Sequence, residues 1–159
     1  MKSHTLLLIA GLLAFPWTLV AETVNHHHDA NAQHKLELNA GRKWASDEPL
    51  RTGMTAIKAL AAAALPKAHA GKFTSAQYDA LANDINAQIA YIVQNCKLDP
   101  KADAQLHIVI GDIAQGVETM QGKQPGKGRS LGVVEVSRAM NTYGEYFNHP
   151  GWQAIKLPQ

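Results

Sequence analysis

Half of the eight histidines in this 159-residue chain fall in one short stretch, Val24 to His34, which reads VNHHHDANAQH. His26, His27 and His28 are adjacent, and His34 follows six residues after the last of them. Imidazoles at this density can chelate borderline divalent ions such as zinc, copper or nickel, and Asp29 adds an oxygen donor. The spacing matches no closed structural zinc site, and a flexible segment loses chain entropy when it closes on an ion, so the expected affinity is modest. The plainer reading is a polar spacer with no ligand.

A second donor set is scattered along the chain: Met54, Cys96 and His107. Thioether and thiolate favour monovalent copper, while imidazole accepts copper, zinc or nickel. These three can meet only if the elements carrying them share one end of the fold. Against a site here, a methionine or free cysteine on an apolar stripe is ordinarily core. His107 also lies about a right angle from the centre of its own stripe, at roughly 100° per residue, where a histidine simply hydrogen-bonds at the surface.

The elements can be read from periodicity and punctuation. Ser46 or Asp47 caps a first helix with Pro49 in its first turn, and Leu50, Met54, Ile57, Ala61, Leu65 and Ala68 form its stripe. Pro66 is expected to break or kink the last turn, and Gly71 to end the helix. Thr74 and Gln77 form a capping box for a second helix, with Tyr78, Leu81, Ile85, Ile89, Ile92 and Cys96 along one face. Asp99 and Pro100 start a third, whose stripe is Ala102, Leu106, Val109, Ile113, Val117 and Met120. After a Gly- and Pro-containing linker at 122–129, Ser130 is expected to cap a fourth helix carrying Val133, Val136, Met140, Tyr143 and Phe147.

Four amphipathic helices with short connections imply an all-α fold, an up-down-up-down antiparallel four-helix bundle. That connectivity brings the start of the first helix, the end of the second, the start of the third and the end of the fourth to one end, and with them Met54, Cys96, His107, Tyr143 and His149. Leu36 and Leu38 alternate with polar residues, as an extended N-terminal strap on the bundle would. Trp152 is expected to fold back over an apolar end.

The opening MKSHTLLLIAGLLAFPWTLVAET reads as a secretory signal peptide over 1–21, with an apolar run from Leu6 to Phe15 and Ala21 at a cleavable position. The run is too short to span a bilayer. The expected organisation is therefore 1–21 leader, 22–45 histidine-containing extended segment, and 46–159 bundle with a C-terminal tail, in the periplasm or secreted. One cysteine in an oxidising compartment forms no internal disulfide, so packing alone must hold the fold.

The formal charge of +2, or +1 without Lys2, supplies no basic field for phosphate, and QGKQPGKGRS lacks phosphate-loop spacing. With export out of the compartment that holds the chromosome, these features argue against nucleic-acid binding. No serine, histidine and acid are marked out as a catalytic set, so the chain does not read as an enzyme.

The blocks LNAGRKWASDEPLRTGM, AQIAYIVQNCKLDPKADAQLHIVIGDI and YGEYFNHPGW, which between them span much of the chain beyond the leader, resemble a family of small exported proteobacterial proteins often labelled DnrO-like. That resemblance implies export and carries no catalytic residue with it. In architecture the chain also resembles cytochrome b562-type bundles, with Met54 about where they hold a methionine haem ligand. Tyr143 and Gly144 stand where the partner histidine belongs, and there is no C-x-x-C-H. A non-covalent haem electron carrier is therefore the lesser alternative. The leading expectation is a periplasmic metal-binding bundle that buffers or delivers copper. Its rival is a metal-free bundle that binds an envelope protein partner, for which an exposed apolar patch would be the sign.

Overall fold

The structure, a computed structural model, describes residues 35–158. The leader, His26, His27, His28 and His34 lie outside the described residues. Four helices follow one another: α1 (Glu48–His69), α2 (Ser75–Asn95), α3 (Pro100–Met120) and α4 (Arg129–Tyr146). The described residues hold no strand longer than an isolated bridge, and no described helix is long and apolar enough to cross a membrane.

Each helix starts where its first turn finds acceptors for orphan N–H groups. Asp47 caps α1 through the Leu50 N–H at 2.9 Å. Thr74 and Gln77 form the reciprocal capping box of α2, and Asp99 takes the Lys101 N–H at 2.9 Å ahead of Pro100. The start of α4 differs from expectation. Its N-cap is Gly128 with no side-chain bond, and Ser130 is already inside the helix. The linker turns at Pro125–Gly126, Gly128 is extended, and the helix begins at Arg129, one residue before the nearest hydroxyl.

Pro66 does not break α1, which continues to His69. A proline removes the N–H that would bond the carbonyl four residues back. Here that residue is Ala62 on the exposed face, so water can satisfy its carbonyl. The helix then closes at Gly71, whose φ of 65° permits the Lys72 N–H to reach the Lys67 carbonyl at 2.9 Å.

Hydrogen bonds between helix ends fix the antiparallel order. The Lys97 N–H after α2 bonds Asp47 before α1, and Ser46 Oγ bonds the Asn148 carbonyl after α4. At the far end Arg129, at the start of α4, bonds Asp79 and the Ser75 carbonyl at the start of α2. The apolar stripes meet inside, with Leu50, Met54, Ile57, Ile85, Ile92, Val109, Ile113, Met140 and Tyr143 fully buried. Helices α3 and α4 approach so closely that a Cβ on Gly132 would come within 2.4 Å of the Gly116 carbonyl oxygen.

Residues 35–47 lie against this frame. Trp44 is buried, its indole N–H donates to the Glu37 carbonyl at 2.6 Å, and its backbone pairs in parallel with Phe147. Leu36 packs on the core, whereas Leu38 stays 43 % exposed. The chain reverses immediately after Leu38: Ala40 and Gly41 both have positive φ, and Asn39 pairs with Arg42 in both directions. The turn carries Leu38 off the bundle and ends the alternation.

Candidate functional site

Among the described residues, two regions bear most directly on chemistry or binding: the end of the bundle where the sequence places its soft donors, and a groove between α1 and α2. At the first, Met54 is fully buried in the core. Cys96 is the residue that ends α2, half-buried, with its thiol hydrogen-bonded to the Asp47 carboxylate. Burial, then the negative charge of Asp47, pushes this thiol up to about 12, so it stays protonated at neutral pH. A metal would have to displace that proton before Cys96 could act as a thiolate ligand. The His107 side chain is 70 % exposed, and its Nδ1 lies 2.9 Å from the Asp103 carbonyl and 3.4 Å from the Asp103 carboxylate. Each of the three therefore sits in a distinct setting: sealed core, thiol–carboxylate pair, and solvent-facing helix surface. Among the described residues no group of three or more His, Cys, Asp or Glu side chains is placed to hold a metal ion.

The same end holds an aromatic corner. Tyr143 stacks on Phe147 with ring centroids 5.2 Å apart, and Trp152 meets Tyr143 edge-on at 4.9 Å. Trp152 does cover this end, lying over Gly144 with the Lys58 ammonium 4.7 Å from its ring centroid. The Trp152 indole N–H is buried without a hydrogen-bond partner among the described residues. His149 joins the corner, with Nδ1 3.1 Å from the Tyr143 hydroxyl and Nε2 3.5 Å from Thr55 Oγ1.

The second region was not legible as a site in the sequence. Ala56, Leu60 and Ala64 of α1 face Leu81 and Gln88 of α2 across an open groove of about 700 Å³, with Phe73 from the connecting turn at one end. Ala59, Ala63 and Ala87 form its shoulders, and Lys67 and Asp84 stand on its rim. The run Ala59 to Ala64 produces it, because small side chains leave the space that leucines would fill. That alanine run was the available signal, and only the pairing of α1 with α2 turns it into a concavity. A groove of this size with few polar groups is within the range of ligand and peptide sites.

No protein-family model, curated protein or solved structure matches this chain.

Proposed function

We propose that this chain is an exported binding protein rather than a catalyst, and that its α1–α2 groove receives the apolar face of an amphipathic helix from an envelope protein. The single observation that supports this is the groove: apolar, about 700 Å³, open along its length and floored by small side chains. Alanines at the contact let two helix backbones approach closely, while Leu60, Phe73 and Leu81 supply apolar surface for anchors spaced three and four residues apart. Lys67 on one rim and Asp84 on the other offer opposite charges to the flanks of such a helix, which sets its direction. Export rests on the leader sequence, and kinship with the DnrO-like exported proteins rests on the three sequence blocks.

The test is a photo-crosslinking residue placed at Ala63 in the groove, with a control at Glu145, an exposed position of α4 outside the groove. A discrete adduct from position 63 alone, lost on Ala59→Glu and mapped to an apolar helical segment of another protein, supports the reading. An adduct at twice the mass of the chain replaces the partner with a second copy.

A second reading, copper capture, is supported by the spacing of His26, His27, His28 and His34. On this reading the segment loads an ion, with Met54, Cys96 and His107 as the donors nearest the bundle end. Zinc and nickel suit the imidazoles less selectively. Titration with Cu(I) in a competing chelator, Cu(II) and Zn(II) separates the parts. Binding lost on removal of residues 22–34 assigns it to the histidines, and binding lost in Cys96→Ser assigns it to the bundle. No binding to any form removes the reading. The haem alternative would place the iron against Met54, and a Soret band on mixing with haemin would be its signature.

A further inference from the structure

We propose that His149 is an acid-sensitive latch: its neutral ring holds residues 149–152, with Trp152, against α1 and α4, and a second proton on the ring opens this corner while the rest of the tail stays attached.

The geometry defines which tautomer closes the corner. The Tyr143 phenol is fully buried, and burial raises its pKa well above the usual tyrosine value, so it carries its proton. It can therefore donate to His149 Nδ1 at 3.1 Å, which leaves the ring proton on Nε2, directed at Thr55 Oγ1. Trp152 packs on the same imidazole, with centroids 4.7 Å apart, and its N–H bonds the His149 carbonyl through the backbone at 3.1 Å. Gly151 turns the chain between them with φ of 76°. Tyr143, His149 and Trp152 thus close on one another, and the imidazole is the only one of the three that titrates near neutrality.

A second proton reverses this arrangement. Nδ1 becomes a donor facing the phenol, so the Tyr143 oxygen must change from donor to acceptor and turn its proton away from the ring, toward Ser46 Oγ, which donates its own proton to the Asn148 carbonyl and can here only accept. The new positive charge is also poorly placed. From α1 it faces Arg51, Lys58 and Glu48, two cations and one acid, and Glu48 is already paired with Arg51 at 2.9 Å. From α4 it faces only the uncharged phenol. The segment before α1 brings Lys43, bonded to the Gly144 carbonyl, and Asp47, whose oxygens serve Leu50 and Lys97. Burial, then Arg51 and Lys58, accordingly lower the His149 pKa below the ordinary histidine value.

The sign follows from linkage. A closed corner whose histidine has a depressed pKa is fully stabilised above the ordinary value of about 6.5 and loses that stabilisation as pH falls toward the depressed one. Opening is confined by anchors on either side. Upstream, the Asn148 N–H bonds the Trp44 carbonyl at 2.8 Å; downstream, Asn141 clamps Ile155 with bonds of 2.7 and 3.0 Å. Neither anchor contains a group that titrates in this range.

The experiment is NMR of the full chain between pH 7.5 and 4.5, following the His149 ring, the Trp152 indole N–H and amide exchange across the tail. The expected result is one shared midpoint for His149 and Trp152, below 6.5. Amide exchange at Trp152, corrected for intrinsic rates, rises about tenfold for each unit by which the pKa is depressed, while the Ile155 amide is unchanged. His149→Gln removes the step, and Lys58→Met moves its midpoint upward. A Trp152 signal that stays flat while His149 titrates overturns the latch, as does loss of Ile155 protection in step with Trp152.

Discussion

The carboxylate of Asp47 accepts the backbone N–H of Lys97 at 2.6 Å, so one side chain both caps α1 and ties down the chain as it leaves α2. Two helix ends fifty residues apart in sequence depend on it. Burial works to raise the pKa of this carboxyl, but hydrogen bonds from Lys97 and Leu50 outweigh that and hold it below the ordinary value. Stability from this group is therefore present above the ordinary aspartate pKa and is lost as pH falls through the depressed one. Asp47→Ala should cost about 1–3 kcal/mol in urea unfolding at pH 7. The difference between the two proteins should shrink by pH 2.

Cys96 should behave as a sluggish thiol. Raised from about 9 to about 12, it holds roughly a thousandfold less thiolate than an ordinary cysteine near pH 8. Alkylation by iodoacetamide, followed by mass spectrometry, should be correspondingly slow in the native protein and rapid in urea. Asp47→Asn removes the neighbouring charge and should accelerate the native reaction.

The contact between α3 and α4 tolerates no side chain at Gly132, where an added Cβ meets the Gly116 carbonyl, the Met120 backbone nitrogen and the Met120 side chain all within 2.7 Å. Gly132→Ala should lower stability by about 1–3 kcal/mol through overpacking. Gly111→Ala, where nothing lies within 4 Å, should instead be neutral or stabilising by up to about 1 kcal/mol. Thermal unfolding of the two variants beside the parent gives the comparison directly.

Gly144 is the seat of Trp152, and a Cβ there would meet the indole at 2.2 Å. Gly144→Ala should push the ring off α4, shift its fluorescence to the red and weaken the contact with Lys58. A Trp44→Phe background leaves Trp152 as the only tryptophan among the described residues to report the change.

Much of this fold is legible in the sequence because the signals are local. Every residue of the α3 stripe from Ala102 to Met120 is buried, and Asp47, Thr74 with Gln77, and Asp99 cap as their spacing predicts. Pro66 leaves α1 unbroken to His69, and only the packed bundle shows why: the Ala62 carbonyl that it orphans lies on the exposed face. Ser130 misleads because the path of the linker, not the nearest hydroxyl, decides where α4 begins. The donor trio shows the limit most clearly. Connectivity predicts that Met54, Cys96 and His107 approach one end, yet the direction of each side chain is set by its neighbours: core for Met54, Asp47 for Cys96, Asp103 for His107. The groove is invisible until α1 and α2 are placed together, since alanine is equally at home in a buried seam and on an open helix face.

Occupancy of the α1–α2 groove by a partner helix is tested most directly by crosslinking from Ala63. The proposal predicts a discrete adduct with an amphipathic helical segment of another envelope protein from position 63, none from position 145, and loss of the adduct on Ala59→Glu with the fold intact by circular dichroism. Equal adducts from both positions, no adduct from position 63, or an adduct that survives Ala59→Glu would contradict it.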